Sequence, residues 1–317
     1  MKEQLRIVYM GTPDFAVAPL VKLLNAGCNI VGVVTNLDKP AGRGQRIVSS
    51  PVKQFAEKKG LPILQPHKFR DEQFLRDLRA WNADLQIVVA FKMLPEVVWS
   101  MPTFGTVNLH ASLLPQYRGA APINHAIING EKTTGVTTFL LQKEIDTGNI
   151  LLQKEVAIDV DETAGTLHDK LMDAGSDLLV ETVDLITSGK YEAKPQPKVT
   201  NLKTAPKIFK EDCRIDWDVE GQFISNFIRG LSPYPGAWTT LNSDNKTVNL
   251  KIYECKFESA VHQHGVGDVV SDGKTNMKVA VKGGFIAILK LQQAGKKALD
   301  IEAFLRGFKL SNNAVLA

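Results

Sequence analysis

The sequence is short of several features that would settle its chemistry at once. It holds three cysteines, Cys28, Cys213 and Cys255, far apart and without a CxxC pair. That excludes a disulfide framework and points to a reducing compartment. No stretch reaches the roughly eighteen apolar residues that a membrane span needs. The opening MKEQLRIVYMGT has too short an apolar run for a secretory leader, so a cytoplasmic protein is expected. MGTPDF follows the first strand as a phosphate loop would, but it is neither GxGxxG nor a Walker sequence, which weakens nicotinamide and nucleotide readings. Ser112 lacks the GxSxG elbow that would expose a nucleophile. HQH at 262–264 has no further Cys or His at ligand spacing, so no metal is expected. There is no internal repeat and no low-complexity tract.

What is present is an ordinary globular balance, 44% hydrophobic and 23% charged, in a chain long enough for two domains. The charge is uneven. Residues 1–190 carry 20 Lys and Arg against 21 Asp and Glu, a net of −1, while residues 191–317 carry 18 against 13, a net of +5. A basic second half suits an acidic partner such as nucleic acid, or serves solubility alone.

Along the first half, apolar strand-like runs alternate with helical periods. LRIVYMG, NIVGVVT, LPILQP, ADLQIVVAF and GTVNLH read as strands. Between them, DFAVAPLVKLLNAG, SPVKQFAEKKG and DEQFLRDLRAW read as helices, the second with Ser50 as N-cap, Pro51 in its first turn and Gly60 past its end. This alternation predicts a parallel sheet covered on both faces. TTGVTTFLL and GNILLQKEVAI follow as strands, and a long helix closes the region over TAGTLHDKLMDAGSDLLVETVDLITSG. YEAKPQPKVTNLKTAP then reads as an extended linker. Short runs punctuated by glycine and Asp or Asn follow, an all-β pattern that predicts a small barrel or sandwich. The expected boundaries are an α/β domain over 1–190, a linker over 191–206 and a β-rich domain over 207–317.

The segment VNLHASLLPQYRGAAP holds the first candidate chemistry. A strand alternates its faces, so Asn108 and His110 share one face while Val107 and Leu109 enter the opposite layer. The strand ends in a Ser-Leu-Leu-Pro turn, and in open parallel sheets ligands sit beyond the carboxyl ends of strands. An amide and an imidazole there can bind a developing oxyanion or move a proton. Taken alone, the two residues read rather as a satisfied polar pair at a strand end. In LLQKEIDTGNILLQKEV, Asp146 sits in a short polar interruption between two apolar runs. It reads as turn chemistry by itself, and as a partner for the imidazole beside Asn108 and His110. The set suits acyl-type transfer through a tetrahedral centre without a protein-bound intermediate. The connection NLDKPAGRGQRIVSSPVK is long for its place and carries Lys39, Arg43, Arg46 and Lys53, which fits a basic arm for a phosphate-rich substrate.

These segments, with MGTPDFAV, DKPAGRG, NLHASLLPQYRGAAPI, EIDTGNIL, APKIFKEDCRIDW and IRGLSPYPGAW, resemble the methionyl-tRNA formyltransferase family across nearly the whole chain. The resemblance implies a Rossmann-like formyltransferase domain with a parallel-rich sheet, followed by a small OB-like β-barrel that helps hold tRNA. It implies 10-formyltetrahydrofolate as co-substrate and initiator methionyl-tRNA as partner; a monomer is the default expectation, with oligomeric state left open by the sequence. Asn108, His110 and Asp146 match the family's catalytic trio. Ser112, Leu113, Leu114 and Pro115 match the folate-binding turn. Arg43, Lys207 and Lys210 match tRNA-binding positions. The chain has HAS where many members have HGS. Another transferase on the same scaffold, acting on a ribonucleotide or amino sugar, is the competing reading, followed by a formyl-folate hydrolase and a catalytically dead nucleic-acid-binding module.

Overall fold

A computed structural model describes residues 3–41, 46–244 and 246–317. The chain opens with β1 (Arg6–Gly11), α1 (Val17–Asn25), β2 (Asn29–Val34), β3 (Lys39–Ala41), β4 (Arg46–Val48), α2 (Pro51–Lys58), β5 (Ile63–Leu64) and α3 (Glu72–Ala80). It continues through β6 (Leu85–Val89), α4 (Glu96–Trp99), β7 (Thr106–His110), β8 (Arg118–Gly119), α5 (Pro122–Ile128), β9 (Thr133–Leu140), β10 (Ile150–Ala157) and α6 (Ala164–Thr187). The remainder holds β11 (Thr204–Ala205), α7 (Gly221–Gly230), β12 (Ala237–Ser243), β13 (Lys246–Ser259), β14 (Val269–Ser271), β15 (Met277–Val281), β16 (Gly284–Gln293), β17 (Ala298–Asp300), α8 (Ile301–Gly307) and β18 (Val315–Leu316).

These elements form two compact units, each discontinuous in sequence. One comprises Met1–Gly119, Thr133–Ala157 and His168–Thr204; the other comprises Ala120–Lys132, Ile158–Leu167 and Ala205–Ala317. The stretch expected to be a linker is therefore split. Its residues up to Thr204 carry little regular structure, yet they cluster with the first unit.

The first unit is built on a seven-stranded sheet of order β10-β9-β7-β6-β1-β2-β5. β2, β1, β6 and β7 run parallel, whereas β9 is antiparallel to β7 and β10 to β9. The central runs are apolar throughout because both faces are covered; all five residues of β6 are buried. The helices start where the sequence signals place them. Ser50 Oγ accepts from Lys53 N at 3.1 Å, with Pro51 at the first position of α2, and Asp71 caps α3 through Phe74 N at 3.0 Å. Phe74, Leu75 and Leu78 form the buried face of α3.

The faces of β7 decide where chemistry can sit. A Cβ on Gly175 of α6 would come within 2.8 Å of Leu109, so Leu109 packs on α6. Thr138, on the same face of β9, hydrogen-bonds Thr182 of α6 at 2.8 Å. Asn108 and His110 therefore lie on the face turned away from α6.

In the second unit, the strands form an antiparallel sheet of order β14-β15-β16-β13-β12-β18, with β17 pairing to β16. The chain just before β14 returns to β18, through Leu316 N donating to Gly267 O at 2.9 Å and a bridge between Asp268 and Val315. The sheet is thereby nearly closed, which leaves few unpaired edges. The all-β reading misses α7 and α8. Their buried faces, Ile224 and Ile228 in one and Phe304 and Leu305 in the other, belong to the barrel core.

Gly221 shows how closely α7 sits on the barrel. A Cβ there would strike the Phe257 ring and approach Val281 to 2.9 Å. Gly221→Val should lower the urea midpoint of unfolding by the equivalent of about 1–3 kcal/mol, the usual cost of overpacking. An unchanged midpoint would mean that α7 does not depend on this contact.

Candidate active site

At the carboxyl end of β7, His110 is 7% exposed and Asp146 is 9% exposed. His110 Nδ1 lies 3.8 Å from Asp146 Oδ2, within ion-pair reach but longer than a hydrogen bond. The other ring nitrogen, Nε2, is 2.9 Å from the Tyr117 carbonyl. A carbonyl only accepts, so Nε2 carries a hydrogen and Nδ1 is the atom turned to the carboxylate. Asp146 Oδ2 also accepts from Gly119 N at 2.9 Å. Asn108 is half-buried on the same strand face, two residues before His110, and its amide has no protein partner among the described residues.

Asp146 reaches His110 against the run of its hairpin. Because β9 is antiparallel to β7, its last residue, Leu140, sits beside Val107, while His110 pairs with Thr137. The 141–149 connection must turn back along the face. It does so with Asp146 in the left-handed region, at φ +54°. Gly148 permits the turn, because any side chain there would collide with the Leu140 carbonyl. Tyr117 is left-handed as well, at φ +58°, an uncommon state for a bulky residue. Two of the non-glycine residues with positive φ thus meet around one imidazole.

The Ser112–Pro115 turn is fixed by one threonine. Thr137 Oγ1 donates to Ser112 O at 2.6 Å and accepts from Leu114 N at 3.1 Å and from Gln153 Nε2 at 3.0 Å. Those three bonds exhaust what a hydroxyl can make. Gln153 gives its second hydrogen to Leu114 O at 2.9 Å. Ser112 Oγ donates to Gln116 O at 2.7 Å, so the Ser112 side chain serves the turn itself. Leu113 rests against Gly135 of β9, and Leu114 is buried.

Comparison with known proteins gives the family. The family described as formyl transferase matches residues 5–183, and the formyl transferase C-terminal domain matches residues 207–309. The methionyl-tRNA formyltransferase of Bacteroides fragilis is 55% identical over 314 residues, covering 98% of this chain and 97% of that protein. The one from Bacteroides thetaiotaomicron is 56% identical, covering 98% of each.

The chain belongs to the methionyl-tRNA formyltransferase family.

Among solved structures, the sugar 3N-formyl transferase WlaRD, determined with dTDP and 5-N-formyl-THF, aligns at a TM-score of 0.64 with 21% identity, over 92% of this chain and 99% of that one. HypX from Aquifex aeolicus in complex with tetrahydrofolic acid aligns at 0.63 with 16% identity, over 94% of this chain and 46% of that one. At such identities the likeness is one of fold.

The remaining expected residues are Arg43, Lys207 and Lys210. Arg43 lies outside the described residues. The long basic connection is not wholly irregular, since β3 and β4 pair as a short antiparallel hairpin. Its base is anchored by Asp38, whose carboxylate takes Lys53 Nζ at 2.6 Å and Gln65 Nε2 at 3.0 Å. The Lys53 bond, with help from Gln65, holds the Asp38 carboxyl below its ordinary range. Lys207 and Lys210 are exposed in the second unit. Lys207 Nζ lies 5.1 Å from the centre of the exposed Phe209 ring, and Arg214 stacks 5.8 Å from Trp238. None of the described helices is long and apolar enough to cross a membrane.

Sequence reading passed over Thr137, Gln153, the Tyr117 carbonyl and Gln196, whose Nε2 donates to Asp146 O at 2.8 Å. Thr137 and Gln153 carried a faint signal, as polar residues inside otherwise apolar strands. The other two act through backbone or long-range contacts that have no local pattern. Thr137→Val keeps the shape and removes the bonds, leaving Leu114 N and Ser112 O unpaired in a buried place. Destabilisation of about 1–3 kcal/mol is expected, together with weaker equilibrium binding of tetrahydrofolate. Wild-type stability and wild-type folate affinity together would show that the turn holds without it.

Proposed function

We propose that the protein transfers the formyl group of 10-formyltetrahydrofolate to the α-amino group of methionine carried on initiator tRNA, giving N-formylmethionyl-tRNA. What carries the reading is the buried approach of His110 and Asp146 beside Asn108, in a chain 55% identical over nearly its whole length to methionyl-tRNA formyltransferases. The unprotonated amine attacks the formyl carbon, and a C–N bond forms as the carbonyl electron pair moves onto oxygen. Asn108 donates its free amide hydrogen to that oxyanion. His110, held between the Tyr117 carbonyl and Asp146, carries positive charge beside it. Collapse of the tetrahedral centre restores the carbonyl and breaks the bond to folate N10. One proton crosses from the amine to N10 by way of the Asp146–His110 pair. Ser112, Leu113, Leu114 and Pro115 form the wall against which the folate lies. The reaction balances without a redox partner.

The catalytic part is residues 1–190, the connection 191–206, and the tRNA-holding part 207–317, the protein acting as a monomer. Arg43, Lys207 and Lys210 meet the tRNA backbone. The decisive assay follows labelled formyl from 10-formyltetrahydrofolate with charged initiator tRNA, charged elongator tRNA, a nucleotide-linked amino sugar or no acceptor. Formyl on initiator methionyl-tRNA alone is the expected result; formyl on the amino sugar, or release of formate without acceptor, would replace this reading.

Asn108→Ala and Asp146→Asn should stay folded and lose about 10²–10³-fold in kcat, or about 3–4 kcal/mol of transition-state stabilisation. Single-turnover rates of formyl transfer measure this, and near-normal turnover in either variant counts against the assigned roles. Lys207→Ala with Lys210→Ala should raise KM for tRNA, flatten its salt dependence by about two counterions, and leave KM for the folate unchanged. A salt titration that is identical to wild type would remove both lysines from the tRNA contact.

A further inference from the structure

We infer that Gln196 is a positioning residue for Asp146, and that the segment preceding Thr204 is part of the active site and not only a tether. The inference rests on the catalytic reading given above. Gln196 is far from the site in sequence and lies in the proline-rich stretch KPQPKV. Its Nε2 donates to Asp146 O at 2.8 Å and to Gly148 O at 2.9 Å. Its Oε1 accepts from Arg118 Nε at 3.1 Å and from Arg118 Nη2 at 2.6 Å. A guanidinium only donates and carbonyls only accept, so the amide has one permitted orientation and both its ends are used.

These bonds close a ring. Arg118 is followed by Gly119, whose N–H is bound by the Asp146 carboxylate. Asp146 is held by its main chain from Gln196 and by its side chain from Gly119. Both grips are referred to the same Arg118–Gly119 segment. Next to the ring, Lys194 and Ile150 exchange two backbone hydrogen bonds at 2.7 and 2.9 Å, which fixes where residue 196 arrives. The left-handed φ of Asp146 is a state that an aspartate adopts only when its surroundings hold it there. Two of the groups that hold it come from one carboxamide.

The chemistry predicts which substitution matters. A carboxylate at 196 keeps the size and the bond to Arg118 but has no hydrogen to give to the two carbonyls. Gln196→Glu should therefore be as slow as Gln196→Ala. Displacing a reacting group by about 1 Å costs about 100-fold in rate, so kcat for formyl transfer should fall about 100-fold in both variants. KM for 10-formyltetrahydrofolate and for methionyl-tRNA should each stay within about twofold, as no ligand contact is removed. Combining Gln196→Ala with Asp146→Asn should slow the enzyme no further than Asp146→Asn alone, because the effect passes through Asp146.

A second measurement does not depend on turnover. Hydrogen exchange at the Gly119 amide, followed by NMR on the full chain, should accelerate at least about tenfold in Gln196→Glu while sheet amides of β1 and β6 keep wild-type protection. Wild-type kcat together with unchanged Gly119 exchange in Gln196→Glu overturns the inference and leaves the proposed activity standing. A loss confined to KM for tRNA also overturns it, since that would make residue 196 part of acceptor binding. If the wild type forms no formylmethionyl-tRNA but Gly119 exchange still depends on Gln196, the activity fails and the positioning role stands.

Discussion

The site depends on one awkward piece of geometry: a carboxylate on an antiparallel hairpin must be brought back to the far end of the strand beside it. The hairpin leaves β9 at the level of Val107, yet Asp146 meets His110. Elsewhere in the sheet the strands are parallel and their loops leave at their carboxyl ends with no such detour. The reversal uses a left-handed Asp146, a glycine at 148 where no side chain fits, and hydrogen bonds from Gln196 and Gly119. Strain of this kind costs on the order of 1–3 kcal/mol per residue and persists only where neighbours over-determine it. The neighbours here do so from two remote parts of the chain.

The same economy governs the turn that follows β7. Thr137 stands directly across from His110 on the adjacent strand, with its hydroxyl spent entirely on the Ser112–Pro115 turn. One register pair thus sets both the imidazole and the turn, so a shift of that register would move them together. The hydroxyl is fully buried, which makes its three bonds matter more than they would at the surface. The approach is close as well, since a side chain on Gly135 of β9 would strike Leu113.

What could be read beforehand was what local pattern encodes. The buried strands of the first unit, the caps at Ser50 and Asp71, and the shared face of Asn108 and His110 all follow from spacing and residue type over a few positions. The parallel-rich sheet and the nearly closed barrel follow from how those runs alternate. The helices α7 and α8 escaped because the runs around them read as strands punctuated by glycine; length does not explain it, since α7 with 10 residues is longer than α1, α2 and α3, which were legible. β18 is two residues long, and it closes the barrel through pairing that no sequence window contains. Gln196 escaped for a related reason. Prolines on either side make its surroundings read as linker, and its contacts lie 48 and 50 residues away toward Gly148 and Asp146, and 78 away toward Arg118.

The division of charge bears on how acceptor choice can be separated from chemistry. The first 190 residues are nearly neutral, and the site within them is made of an amide, an imidazole, a carboxylate and main-chain groups, none of which distinguishes a tRNA from any other amine. Folds with 16–21% identity to this one include a sugar formyltransferase, so the scaffold alone does not choose the acceptor. Residues 191–317 carry the excess positive charge, and within the second unit Lys207 lies beside the Phe209 ring and Arg214 beside Trp238. Contacts between basic side chains and phosphates give affinity and position but little sequence information. Acceptor choice is therefore a property that the functional groups of this site do not encode by themselves.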